Sequence, residues 1–244
     1  MTITSKQNPL VKELASLKDK KGRKERGTFL VEGAKMVREC AQSGLEIVRL
    51  AVSERYTGET YGLPCIALGE DALRAVCDEK TPQGIVAEVK IPQIKAEPPK
   101  GRCLLLDGVS DPANVGAIIR TAVAAGYGEI YLSGCADPYS PKSVRASMSG
   151  VFFAKLMRGE REELFNVLAD VPLIAADMDG ENVFDYTPPE KFCIAIGNEG
   201  NGLTSDVRKM AQYTVMIPMD ARTESLNAAV SAGILMYLLQ SKQP

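Results

Sequence analysis

The chain has 244 residues, 45% hydrophobic and 25% charged, with a formal net charge of -2. This balance predicts a globular protein of one large or two modest domains, in which any nucleic-acid contact must come from a local patch rather than from overall charge. There is no histidine, and the six cysteines (Cys40, Cys65, Cys77, Cys103, Cys135 and Cys193) form no C-x-x-C pair, which excludes the usual zinc sites, a Ser-His-Asp triad and Cys-His nucleophile pairs.

No metal is therefore expected, and the cysteines read as reduced core residues of a cytoplasmic protein. The polar, Lys-bearing N-terminus has no signal-peptide pattern, and no apolar run is long enough to span a membrane. Asn8 to Asp19 predicts a short helix with Val11 and Leu14 on its apolar side. A basic stretch follows, Lys18 to Arg26. From Met1 to Leu30 there are eight Lys or Arg against three Asp or Glu. Such a run is either a solvated loop or a phosphate-contacting patch.

Strands are expected at Thr28 to Val31, Glu46 to Ser53, Leu63 to Leu68 and Gly84 to Val89. Helices are expected at Gly33 to Ser43 and Asp71 to Cys77. Together they make a small α/β unit. Ile91 to Gly101 contains Pro92, Pro98 and Pro99 in a polar context and reads as a linker. Beyond it, apolar strands alternate with helices, the pattern of a mainly parallel sheet covered on both faces. Strands are expected at Cys103 to Leu106, Glu129 to Ser133, Pro172 to Ala176, Phe192 to Ile196 and Val215 to Met219, with Val151 to Ala154 as a further extended piece. Helices are expected at Asn114 to Gly126, Ser143 to Ser149, Arg161 to Ala169 and Ser205 to Ala211. The last helix, from Ser225 to Gln240, carries no charged residue. It is expected to be buried on most sides, by its own domain and by a second subunit.

Three loops follow strands of this second sheet, where open α/β folds place their ligands. The first is Asp107 to Asn114. Taken singly, its Asn114 reads as a helix cap and Arg120, further along, as a solvent-facing charge. The second, Gly197-Asn198-Glu199-Gly200-Asn201-Gly202, lacks the dinucleotide glycine spacing but allows close backbone approach to a ligand. The third runs from Val215 to Asn227, and Ser225 alone reads as a cap. The residues by themselves support a small-molecule pocket beside a glycine-rich backbone. They do not name a reaction.

Together the loops are more specific. Asp111-Pro112-Ala113-Asn114-Val115-Gly116-Ala117-Ile118-Ile119-Arg120-Thr121-Ala122 resembles the first motif of the SpoU (TrmH-type) RNA 2′-O-ribose methyltransferases of the SPOUT superfamily. Ile196 to Leu203 resembles the second motif. Ile217-Pro218-Met219 with Glu224-Ser225-Leu226-Asn227-Ala228-Ala229-Val230-Ser231 resembles the third. The similarity covers Arg102 to Leu239. Lys6 to Pro9 and Gly27 to Gly33 resemble the substrate-binding domain attached to some members, a ribosomal-protein-L30e-like α/β fold.

The resemblance implies an RNA-binding domain over 1–90, a linker over 91–101 and a methyltransferase domain over 102–244 with a C-terminal trefoil knot. It implies a homodimer and S-adenosylmethionine as cofactor, held by Gly197, Gly200, Gly202, Ile217, Met219, Ser225 and Leu226. Asn114, Arg120, Glu199, Ser225 and Asn227 match the catalytic positions. Lys20, Lys21, Arg23, Lys24, Arg26 and Arg120 are the candidate RNA contacts. A free arginine is a poor base because its pKa lies above about 12. The expected role of Arg120 is thus to orient the ribose, with the substrate phosphate or Glu199 assisting proton loss. The expected substrate is 23S rRNA. A tRNA substrate, a non-catalytic ribosome-assembly factor and an unrelated α/β nucleotide-binding enzyme stay open as alternatives.

Overall fold

The computed structural model describes residues 2–223 and 225–241. In chain order the first elements are α1 (Pro9–Ser16), α2 (Lys20–Arg26), β1 (Thr28–Glu32), α3 (Ala34–Gln42), β2 (Ile47–Ser53), β3 (Cys65–Leu68), α4 (Glu70–Val76) and β4 (Ile85–Lys90). Then come β5 (Cys103–Asp107), α5 (Pro112–Ala124), β6 (Glu129–Ser133), α6 (Pro141–Ser147), α7 (Gly150–Phe153), β7 (Lys155–Arg158) and α8 (Arg161–Leu168). The chain closes with β8 (Leu173–Asn182), β9 (Cys193–Gly197), α9 (Ser205–Met210), β10 (Tyr213–Met216) and α10 (Ala228–Ser241).

Two compact units form. One contains Met1–Gln93 together with Asp137–Phe152, and the other Ile94–Ala136 with Phe153–Pro244. The first holds a four-stranded sheet in the order β1-β4-β2-β3. β4 pairs antiparallel with both β1 and β2, and β2 pairs parallel with β3. Its core gathers Val11 and Leu14 of α1, Leu30 and Val86 of the sheet, and Leu73 and Val76 of α4. α1 starts where Asn8 Oδ1 accepts the Leu10 N–H and Pro9 fills the first helical position, a preferred N-terminal arrangement. α2 ends at Gly27, whose φ of 66° is the left-handed cap conformation.

The basic stretch is thus mainly a helix, not a loop, and its Arg23 and Arg26 are engaged in ion pairs. Arg23 is 3% exposed. Its Nε and Nη2 each lie 2.8 Å from Asp137 Oδ2, while Nη1 donates to the carbonyls of Leu17 and Lys18. Arg26 pairs with Glu13 at 3.3 Å and with the buried Glu88 at 3.4 Å. Asp137 falls in a stretch expected, from chain order, to belong to the second domain. Tyr139 of that stretch packs against Phe29 with the rings tilted at 48° and a centroid distance of 4.9 Å. The 137–152 segment is therefore part of the first unit's core, for the same reason that the chain leaves the second sheet there: its apolar side chains find their burial elsewhere.

The second unit is a six-stranded sheet in the order β10-β8-β9-β5-β6-β7, parallel at every pairing. Cys103, Leu105, Tyr131, Cys193 and Ala195 pack with Leu164 and Leu168 of α8 and Val207 of α9. Strand alternation sends Leu104, Leu106, Ile194 and Ile196, all buried, to the opposite face. α5 and α10 pack on each other, and the Tyr127 hydroxyl donates to the Met236 carbonyl at 3.2 Å. The expected linker is only partly a tether. Ile91 N–H donates to the Gly27 carbonyl, Ile94 and Ala96 pack on the second unit's core, and the Glu97 carbonyl accepts from the Tyr131 hydroxyl.

Two expectations need correction. Val151 to Ala154 is not extended. Its first three residues lie in α7, and the edge strand is the following Lys155–Arg158, which pairs with β6 in a register beginning at Glu129↔Lys155. Tertiary pairing overrides the β propensity of the Val-Phe-Phe run. The last helix begins at Ala228, not at Ser225; Ala228, Ala232, Leu235, Met236 and Leu239 are buried within the chain, and Val230 and Tyr237 are 51% and 52% exposed.

Candidate functional site

The three loops meet at the carboxyl ends of β5, β9 and β10. α5 is capped by Asp111, whose Oδ1 accepts the Ala113 N–H at 2.9 Å. Asn114 is therefore not the cap that its position suggested. It sits inside the first turn of α5, 9% exposed, with its amide directed to the other loops. Asn114 Nδ2 donates to Glu199 Oε1 at 2.8 Å, and Asn114 Oδ1 accepts from Asn227 Nδ2 at 2.9 Å. Asn227 Oδ1 in turn accepts the N–H groups of Ala229 and Val230, at 2.9 and 3.3 Å. Asn227, not Ser225, caps α10.

The polarity of this relay is fixed at both ends. A helix N-terminus offers only donors, so Asn227 must turn its oxygen to α10 and its NH2 to Asn114. Asn114 must then turn its NH2 to Glu199, whose oxygen accepts. Glu199 also accepts from Ser110 N (3.1 Å), Ser110 Oγ (2.9 Å) and Asp111 N (3.2 Å). Desolvation pushes this carboxyl up, but the bonds from Asn114, its own backbone and Ser110 outweigh it and hold the pKa at about 2. Through these bonds Glu199 bridges the glycine loop and the loop after β5, and its carboxyl is held ionised well below neutrality.

The glycine loop folds on itself. Asn198 and Gly202 exchange backbone hydrogen bonds at 3.0 and 2.9 Å, and Asn198 Oδ1 accepts the N–H groups of Gly200 and Asn201. Asn198 Nδ2 ties the loop to the Gly108 carbonyl at 2.9 Å. A Cβ on Gly197 would lie 2.3 Å from the Gly202 carbonyl carbon, so only glycine permits this fold-back. On the far side, the β8–β10 pairing jumps from Ala175 to Glu181. Residues 176–180 leave the ladder there, and Gly180 lets the Val215 backbone pass where a Cβ would collide at 2.5 Å.

Between the glycine loop, this bulge and the 215–226 segment lies a cavity of about 990 Å³. Gly197, Gly200, Gly202, Ile217, Met219, Ser225 and Leu226 all line it, as does Glu199. Ile196, Val215 and Leu235 extend its apolar wall. Ile217, Met219 and Leu226 lie outside the strands and helices, and their backbone groups form no hydrogen bond with a described residue. An apolar slot edged by unused peptide groups fits an adenosyl ligand, whose flat base needs burial and whose ring nitrogens need backbone partners. The residues present therefore suit S-adenosylmethionine. Asp177 and Arg208, paired at 2.9 Å, also face the cavity.

Arg120 is exposed on α5 and forms no ion pair with a described residue. Lys20, Lys21 and Lys24 are exposed on α2, in the other unit. Glu224 of the third motif lies outside the described residues. Sequence reasoning missed Ser110, Asn198, Asp107 and Thr204. The signal was present for Asp107, a charged residue ending a strand that is otherwise apolar.

A parallel α/β sheet, a glycine loop after one strand and a cavity of about 990 Å³ bounded by the following strand-helix junction define an α/β protein with a small-ligand site at the carboxyl ends of its strands. Residues 101–237 match the model of the SpoU rRNA Methylase family, and residues 8–87 match that of the MRM3-like substrate binding domain. The chain belongs to the SpoU rRNA methylase family. It is 32% identical, over 98% of both chains, to the 23S rRNA (guanosine(2553)-2'-O)-methyltransferase RlmP of Bacillus subtilis. It is 31% identical to the 23S rRNA (uridine(2479)-2'-O)-methyltransferase of Streptomyces viridochromogenes, over 96% of this chain and 90% of that one. The AdoMet-bound rRNA methyltransferase from Sinorhizobium meliloti superposes with a TM-score of 0.91 at 28% identity, covering 99% of this chain and 97% of that structure.

Proposed function

We propose that the chain methylates a ribose 2′-hydroxyl of 23S rRNA, using S-adenosylmethionine. The observation that carries this reading is the cavity. All seven positions expected to hold the cofactor line one space, and the three motifs around it are joined by the Asn227–Asn114–Glu199 relay. When bound there, S-adenosylmethionine supplies an electrophilic methyl group to the 2′-oxygen.

The chain's own residues bind, align and shield. Ile217, Met219 and Leu226 offer peptide groups and apolar surface to the adenosine, while Gly197, Gly200 and Gly202 let the backbone approach closely. Glu199 and Asn114 keep the first and second loops at fixed separation. Arg120, exposed and cationic, orients the acceptor ribose and its phosphate. The 2′-hydroxyl proton leaves to the substrate phosphate or to solvent, because Glu199 is saturated. RNA, unlike DNA, carries the 2′-hydroxyl that this chemistry requires. Lys20, Lys21 and Lys24 supply phosphate contacts from the N-terminal unit.

The reading extends to a trefoil knot formed by the segment after β10, to a homodimer through the uncovered Val230 and Tyr237 side of α10, and to action in the cytoplasm. An exposed apolar helix face with no charge supports the dimer. The 23S relatives differ in the nucleotide they modify, guanosine in one and uridine in the other. The proposal therefore names the RNA and the ribose oxygen, not the base.

The deciding assay is transfer of radiolabelled methyl from S-adenosylmethionine to unmodified 23S rRNA, with tRNA alongside and Arg120→Ala as control. Label in 23S rRNA, absent with Arg120→Ala and resistant to alkaline cleavage at one linkage, is expected. Label confined to tRNA would overturn the rRNA assignment, and alkali-sensitive label would overturn the ribose assignment.

A further inference from the structure

The glycine loop has internal bonds that shape it, but those bonds do not fix where it stands against the sheet. Contacts outside the loop do. Asn198 reaches the Gly108 carbonyl, and Glu199 accepts from Ser110, Asp111 and Asn114. The far end of the loop is held separately, by Asp107, the last residue of β5, directly paired with Gly197 of β9 and Ser133 of β6. Asp107 is 1% exposed. Its Oδ2 accepts from Thr204 N at 2.8 Å and from Thr204 Oγ1 at 2.7 Å, and its Oδ1 accepts from Arg161 Nη2 at 3.0 Å. Gly197 and Thr204 are the two ends of the loop. Asp107 therefore holds the far end of the loop beside the strand on which its near end is built.

Thr204 makes the arrangement informative. It is the N-cap residue of α9, yet its side chain forms no capping hydrogen bond. A threonine there ordinarily turns its oxygen to a helix N–H. Here the hydroxyl donates to Asp107 instead, and α9 begins uncapped. The buried carboxylate is matched by a cation and two further donors, as a charge in this position must be. Arg161 is the first residue of α8, so three elements converge on one carboxyl group.

We propose that Asp107, with Thr204 and Arg161, is a latch that positions the cofactor loop. It touches no reactant, and Thr204 and Asp107 lie behind the cavity lining. Their effect is on how well Gly197, Gly200 and Gly202 are preorganised for the ligand. Loss of the latch leaves the cavity residues in place but adds the cost of ordering the loop to every binding event. The signature is weaker cofactor binding with unchanged turnover once the cofactor saturates.

The inference rests on the cofactor assignment above, and the test separates the two. S-adenosylhomocysteine is titrated calorimetrically into the full-length wild-type chain and into Thr204→Val, Thr204→Ser and Arg161→Gln, with steady-state methyl transfer to 23S rRNA in parallel. Removing one hydroxyl-to-carboxylate bond is expected to weaken binding by Thr204→Val about tenfold. The cofactor KM should rise with it, the RNA KM and kcat at saturating cofactor should stay, and amide exchange at residues 199–203 should quicken. Thr204→Ser keeps both donors and should bind as wild type does. Arg161→Gln acts from another element and should weaken binding in the same direction, which keeps the test open if Thr204→Val folds poorly. Wild-type affinity in both Thr204→Val and Arg161→Gln would overturn the latch. So would Thr204→Ser binding as weakly as Thr204→Val, or a fall in kcat with affinity intact. A wild-type chain that does not bind S-adenosylhomocysteine would overturn the cofactor assignment itself.

Discussion

Asn114 and Glu199, 85 positions apart in sequence, are joined by a 2.8 Å hydrogen bond whose direction is dictated from a third loop. The helix N-terminus at Ala228 orients Asn227, Asn227 orients Asn114, and Asn114 presents its amide hydrogens to a carboxylate. Asn114→Asp replaces that donor with a second carboxylate and also repels Glu199. Methyl transfer is expected to fall by about a hundredfold or more, and stability by roughly 1 kcal/mol, because Glu199 loses a donor and faces a like charge. Activity and urea midpoints check both. Wild-type values of each in Asn114→Asp would contradict the relay.

The protonation of Glu199 gives a pH prediction with a definite sign. Its folded pKa, about 2, is below that of a free carboxyl. The stability it contributes is therefore fully present above the unfolded pKa, near 4.3, and is lost as pH falls through about 2. Wild type and Glu199→Gln should differ most at neutral pH and converge between about pH 5 and 2. Denaturant unfolding across that range measures it. Near neutrality the rate profile of methyl transfer should show no limb from Glu199, and a limb that vanishes in Glu199→Gln would restore it as the base.

Arg120 separates binding from turnover. Arg120→Ala should lower kcat by about a hundredfold, the scale of removing one positioned charged group, while leaving S-adenosylhomocysteine affinity within about twofold. Arg120→Lys keeps the charge but not the planar fork and should recover only part of the rate. Full turnover in Arg120→Lys would remove the orienting role.

Two kinds of cation sit on α2, and they should respond differently. Arg23→Ala strips a buried pair with Asp137 and is expected to destabilise the N-terminal unit by about 3–5 kcal/mol. Lys20, Lys21 and Lys24, when changed to Ala, should leave the melting temperature unchanged. They should weaken RNA binding and lower the salt slope by roughly one for each phosphate that is no longer neutralised. Filter binding at several salt concentrations, beside thermal unfolding, distinguishes the two. An unchanged salt slope when all three lysines are replaced would take the RNA surface elsewhere.

Gly197→Ala tests the fold-back directly. Its Cβ would meet backbone atoms of Gly202 and Leu203 at 2.3 to 2.5 Å, and backbone cannot swing aside as a side-chain tip does. Cofactor binding by calorimetry should be abolished. Retained affinity would mean that the loop has another conformation competent to bind.

The sequence by itself determined the alternation of strands and helices, the parallel character of the second sheet, and a glycine-rich loop beside a small-molecule pocket, while the cofactor positions came from the resemblance to the family. These depend on local patterns: runs of Leu and Ile that must be buried, and turns that only glycine or proline permits. It did not determine which polar residue serves which loop. Asn114 and Ser225 stand where caps belong, yet Asp111 and Asn227 do the capping, because each side chain's partner comes from a distant segment. Lys18 to Arg26 likewise reads as one basic patch, whereas Arg23 and Arg26 are consumed by Asp137, Glu13 and Glu88. Hydrophobic periodicity is a property of neighbours along the chain and survives in the sequence. The ionisation of Glu199, the burial of Asp107 and the pairing of Arg23 arise from charges and donors brought together across the chain, and only the tertiary structure brings them there.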